Sequence, residues 1–79
     1  MITPQQIKAD MPVLSSEEVQ FAVIEQMEGT NYLKLKEDET GRFHYIPIYW
    51  VSAIENEKVK IDRPVDQAKL EWSSVSPRF

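Results

Sequence analysis

His44 is the only histidine in the chain. Imidazole is the side chain best suited to acid–base work or metal binding near neutral pH. Either role needs partners. A catalytic imidazole is oriented by a second polar group, and a metal-bound one sits among further His, Cys or carboxylate ligands. The chain has no cysteine and no second histidine, so a transition-metal site is not expected. His44 reads as a strand residue on the solvent face, or one satisfied by a backbone partner. An enzymatic or small-ligand reading would pair it with a nearby carboxylate such as Glu55.

Glu37, Asp38 and Glu39 form the densest run of carboxylates. A calcium loop would need regularly spaced ligands and a bidentate Glu further on, and that spacing is missing. The run reads as a solvated loop whose charge discourages edge aggregation. No nucleophile motif surrounds any serine. Only Gly29 and Gly41 supply glycine, too few for a phosphate-cradling loop. No catalytic, cofactor-binding or metal-ligating residue is assigned, no cofactor is expected, and the chain does not read as an enzyme.

What remains is aromatic. Tyr45, Tyr49 and Trp50 could stack on nucleic acid or anchor a protein contact. Trp50 is expected in the core, which a small domain must fill with large side chains. Tyr45 and Tyr49, together with Leu70, are the candidate interaction surface. The net charge of −4 and scattered Lys and Arg disfavour nucleic acid, whose binders present basic patches.

These residues have to be carried by one domain, because the chain is 79 residues long. The expected domain spans residues 1–73, followed by a loose tail over 74–79. No apolar run approaches the ~20 residues of a membrane helix. The first residues lack the basic and apolar regions of a signal peptide, so a cytoplasmic protein without membrane contact is expected. The absence of cysteine fits a reducing compartment.

Thr3-Pro4-Gln5-Gln6 reads as a helix start with a capping box, anchored by Ile2 and Ile7 and ended before Pro12. Met11–Leu14 is a short strand and Ser15–Glu18 a polar turn. Val19–Glu28 alternates with period two, placing Val19, Phe21 and Val23 on the expected core face and a bulge near Glu25. Gly29-Thr30-Asn31 turns into Tyr32–Lys36, with Leu33 and Leu35 inward. Phe43–Ile46 is a strand, and Pro47, which cannot donate to a ladder, sits at a sheet edge or breaks the strand there. Ile48-Tyr49-Trp50 is a tight or 3₁₀ turn. Val51–Glu55 and Lys58–Asp62 form a hairpin, with Asn56 at a left-handed position. Pro64–Trp72 is a helix whose face carries Val65, Ala68 and Trp72, leaving Leu70 off that face.

This order, with His44-Tyr45-Ile46-Pro47 followed by Trp50-Val51 and then Ala68-Lys69-Leu70-Glu71-Trp72, resembles a small PRC-barrel-like group of uncharacterised bacterial proteins. The resemblance covers roughly residues 7–73. It implies a mainly β fold: a small, strongly bent barrel of about five or six strands with a short C-terminal helix plugging one end. It also implies a protein-interaction role, as PRC barrels have in the photosynthetic reaction-centre H subunit and in a ribosome maturation factor. Similar sequences usually carry glycines at Ser15–Glu18 and Ala22, and often Ser or Thr at Pro64. The expected function is a non-catalytic adaptor or scaffold with an unidentified protein partner, or with itself as a homodimer. The alternative is a small-ligand binder or enzyme using His44. A nucleic-acid or ribosome-associated role is third.

Overall fold

The structure is a computed structural model that describes residues 4–73. The expected cap at Thr3, the anchor Ile2 and the tail over 74–79 lie outside the described residues. A 3₁₀ turn at Pro4–Gln6 precedes six strands: β1 (Pro12–Leu14), β2 (Gln20–Glu28), β3 (Tyr32–Leu35), β4 (His44–Pro47), β5 (Val51–Glu55) and β6 (Lys58–Ile61). A second 3₁₀ turn, Ile48–Trp50, joins β4 to β5, and helix α1 (Val65–Glu71) closes the described chain.

The strands form one sheet in the order β4-β3-β2-β1-β6-β5. All neighbours are antiparallel except β1 and β6, which run parallel with Val13 beside Val59. The two edge strands are consecutive in the chain. In a flat sheet five inter-strand steps would hold β4 and β5 roughly 24 Å apart. Pro47 and Val51 are joined only through Ile48–Trp50, a reach of at most about 15 Å. The sheet must therefore curl strongly. It remains open, because its edge strands β4 and β5 are not paired with each other.

The bend has a local cause. The β2–β3 register shifts between Ile24 and Gln26, the bulge expected near Glu25. At that point the Ile24 N–H bonds to the Met11 carbonyl and the Lys36 N–H to the Val23 carbonyl. β2 thus changes direction while its backbone groups stay satisfied.

Almost every strand sends a fully enclosed aliphatic group to one core: Val13, Ile24, Leu33, Ile46, Val59 and Ile61 are all 0% exposed. Each such side chain stabilises the fold by roughly 1.5–3 kcal/mol. The alternation of β3 and β6 is as expected, with Leu33, Leu35, Val59 and Ile61 buried. β2 corrects its expectation. Val19 is exposed in the turn, Phe21 and Val23 are half-buried, and Ile24 is the enclosed residue. Phe21 and its neighbour Ala22, on opposite sides of the pleat, both pack against the core, and Phe21 also meets Trp72, so alternation alone does not name the inner face.

Candidate functional site

The site begins with the loop between β3 and β4. One carboxylate oxygen of Asp38 accepts the Thr40 N–H at 2.8 Å, the Thr40 hydroxyl at 2.6 Å and the Arg42 N–H at 3.2 Å. Asp is suited to this because its short side chain bonds backbone two residues on. Gly41 sits at φ 81°, where the turn needs a left-handed residue. The other Asp38 oxygen lies 2.6 Å from His44 Nε2.

His44 is the first residue of β4, opposite Leu35 in the ladder, and only 6% exposed. Its expected place on the solvent face is thereby corrected, and a side-chain carboxylate faces its Nε2. Asp38 rather than Glu55 is that carboxylate, and Glu55 stands opposite Lys58 at the end of β5. The Thr40 hydroxyl first, and His44 next, hold the Asp38 carboxyl well below the usual carboxylate range. Asp38 is ionised at neutral pH, and His44 Nε2 is the donor between them.

Trp72 completes the group. Its indole stacks on the imidazole with ring centroids 3.8 Å apart, and its other neighbour Phe21 is tilted at 6.2 Å. Trp72 is positioned by α1, whose Ala68 is fully buried and whose Ala68 carbonyl accepts the Trp72 N–H at 2.8 Å. Arg63 fixes the other end of this arm. Its guanidinium lies 3.9 Å from the Trp50 ring centroid, bonds to Asp62 at 2.7 Å and pairs with Glu71. Ser73 then pairs through both backbone groups with Tyr45, at 2.7 and 3.0 Å.

Phe21, Val23, Lys36, Asp38, His44 and Trp72 line a cleft of about 290 Å³. A carboxylate–imidazole pair in an aromatic cleft has the parts of an acid–base site. Its geometry is that of a bracket. Asp38 already accepts four hydrogen bonds, and one ring face of His44 is covered by Trp72. Among the described residues, no three His, Cys, Asp or Glu side chains converge on a point that could hold a metal ion. None of the helices among them is long and apolar enough to cross a membrane.

The three expected interaction residues separate. Tyr45 is 8% exposed, which corrects its expected place at the surface, whereas Tyr49 is 76% and Leu70 85% exposed. Tyr45 is enclosed because the chain returns after α1 and pairs Ser73 along the β4 edge. Tyr49 shares a shallow cleft of about 260 Å³ with Asn31, Tyr32, Pro47 and Ile48. Trp50, at 3%, is core as expected. Asp38 was missed as a partner of His44. Its signal is the Asp38-Glu39-Thr40-Gly41 pattern, an Asp whose side chain can close a turn immediately before the strand that carries His44.

A family model described as an uncharacterized protein conserved in bacteria (DUF2171) matches residues 7–69. No curated protein and no solved structure matches the chain.

Proposed function

The chain belongs to this bacterial family, and from that premise we propose that it is a non-catalytic protein-interaction module, an adaptor or scaffold of the cytoplasm. The observation that carries the reading is the exposure of Tyr49 and Leu70, at 76% and 85%, while the only imidazole is engaged in packing. Tyr suits a contact surface, because its ring offers area and its hydroxyl stays hydrated when unbound. The fold is a PRC-barrel-like one with an open seam. This is supported by the six curled strands, the edge strands linked only through Ile48–Trp50, and the short C-terminal helix.

The test compares proteins captured from the native bacterial host by the wild-type chain and by a Tyr49→Glu, Leu70→Glu double variant of unchanged melting temperature. A partner held by the first and lost by the second supports the reading. Identical capture by both overturns it.

The cleft between Asp38, His44 and Trp72 favours a second reading, a small-ligand binder. A thermal-shift panel of small ligands would then give a hit with the wild-type chain that His44→Ala abolishes.

A further inference from the structure

The two edges of the sheet are treated differently. On β4, Tyr45 is paired through both backbone groups with Ser73, and Pro47 has no N–H to offer. Along β5 the Val51 N–H is taken by the Ile48 carbonyl, but among the described residues no backbone group of Ser52, Ala53, Ile54 or Glu55 is bonded to anything but β6. The sequence Val51-Ser52-Ala53-Ile54-Glu55 contains neither Pro nor Lys, the residues that usually blunt an edge. Its safeguards are the exposed charge of Glu55 at its end and the register shift between Val51 and Ala53.

The β5–β6 turn decides which groups face outward. Asn56 and Glu57 have φ 51° and 62°, the two left-handed positions of a two-residue type I′ loop. In such a hairpin the flanking pair, Glu55 and Lys58, exchanges hydrogen bonds. The next residue, Ile54, then points its N–H and C=O away from β6. A strand edge with a free donor and acceptor on one residue is complementary to itself across a two-fold axis.

We infer that β5 is the seat of a symmetric dimer, in which Ile54 of each copy donates its N–H to the Ile54 carbonyl of the other. This rests on the interaction-module reading and names a second copy of this chain as one partner. Antiparallel pairing about Ile54 sets Ala53 of one copy opposite Glu55 of the other, and Ser52 opposite Asn56. No like charges meet, so the edge is compatible with itself as it stands. A five-residue strand buries little area, so the dimer is weak and forms at high protein concentration. Each copy carries −4, so association strengthens as salt screens the repulsion between them.

Ala53 gives a test with opposite signs. Ala53→Glu sets two like-charge pairs against Glu55 across the axis, and Ala53→Lys sets two attractive ones. Within one chain Ala53 faces Lys60, so the same changes act on folding in the reverse direction. Sedimentation of the full chain up to on the order of 1 mM should show a dimer strengthened by salt. Ala53→Glu should weaken it by about two- to thirtyfold and Ala53→Lys should strengthen it similarly. In the unaltered chain, amide exchange at Ile54 should slow as the dimer forms. A chain monomeric throughout this range, a dimer that the two variants shift in the same direction, or an Ile54 amide indifferent to concentration would overturn the inference. Tyr49 and Leu70 are untouched in these variants, so partner capture through them stands or falls separately.

Discussion

The imidazole of His44 lies flat against the indole of Trp72, their planes 10° from parallel. This contact ties the end of α1 to the first residue of β4. A helix of seven residues does not persist in water unaided, so α1 exists because it is docked. The docking groups are Ala68, the Arg63–Glu71 pair and Trp72. Trp72→Ala should cost about 3 kcal/mol, the low end for a truncated Trp because the ring is half-buried. That is a large share of the ~5–15 kcal/mol a small domain has. Urea unfolding should show a midpoint far below the parent's, and Trp72→Phe should recover most of the loss. If Trp72→Ala melts within a few degrees of the parent, α1 is held by something else.

His44→Ala removes the same stack from the other side. It should lower the melting temperature while leaving partner capture intact, since the imidazole is engaged in packing. A folded His44→Ala chain that loses its partner or a measured activity would shift the balance to the ligand-binding reading.

Asp38 sets an acid limit on the loop. Its carboxyl is held below its ordinary value of 3.8 by Thr40 and His44. In acid the unfolded chain therefore takes up this proton first. A group depressed in this way contributes stability above its unfolded pKa and loses that contribution as pH falls toward the folded value. Stability should thus decline as pH drops below about 4, and Asp38→Asn should lose part of that slope. Urea midpoints of both proteins, measured from neutral pH downward, check this through their difference, in which the other carboxylates cancel. Parallel curves would mean that Asp38 is no more stabilised when folded than when unfolded.

Much of the fold was legible because single residues announce it. Pro47 at the sheet edge, the bulge by Glu25, the 3₁₀ turn at Ile48–Trp50 and the left-handed Asn56 all follow from local stereochemistry. What failed were statements that depend on who covers whom. The inner face of β2 was misassigned because the Phe21 side of β2 is also covered, by Trp72, a residue 51 positions away in the chain. Tyr45 was expected outside because nothing in its own segment hints that Ser73 returns to pair with it. The site divided in the same way: His44 was visible as a lone imidazole, but its orientation comes from a loop carboxylate and a distant indole.

Glu57 offers a stabilising change. It occupies the second left-handed position of the β5–β6 turn at φ 62°, where a side chain pays roughly 1–2 kcal/mol. Asn56 before it tolerates this conformation, and Asn-Gly is the preferred pair for such a turn. Glycine loses roughly 0.5–1 kcal/mol of its own in chain entropy. Glu57→Gly should therefore raise stability by up to about 1.5 kcal/mol, the largest difference between the two ranges. A variant less stable than the parent would mean that the Glu57 side chain makes a contact outweighing the strain.

The last prediction separates the two tyrosines on either side of Pro47. Tyr45 is 8% exposed and Tyr49 is 76% exposed, although only four positions separate them. Tyr45 lies in β4 between Lys34 of β3 and Ser73, so Tyr45→Glu removes an enclosed ring and leaves a carboxylate whose cross-strand cation is Lys34. Losing a buried aromatic side chain typically costs about 3–5 kcal/mol. Burying the carboxylate adds a desolvation cost that Lys34 only partly offsets, so Tyr45→Glu should unfold the chain or nearly so. Tyr49 stands on the 3₁₀ turn with most of its ring in water. Substitutions at such a place usually stay within about 0.5 kcal/mol, so Tyr49→Glu should melt with the parent. Only then can a loss of binding by Tyr49→Glu be assigned to the surface itself. Should Tyr45→Glu fold as well as Tyr49→Glu, the pairing of Ser73 along β4 would be wrong, and Tyr45 would return to the candidate interaction surface.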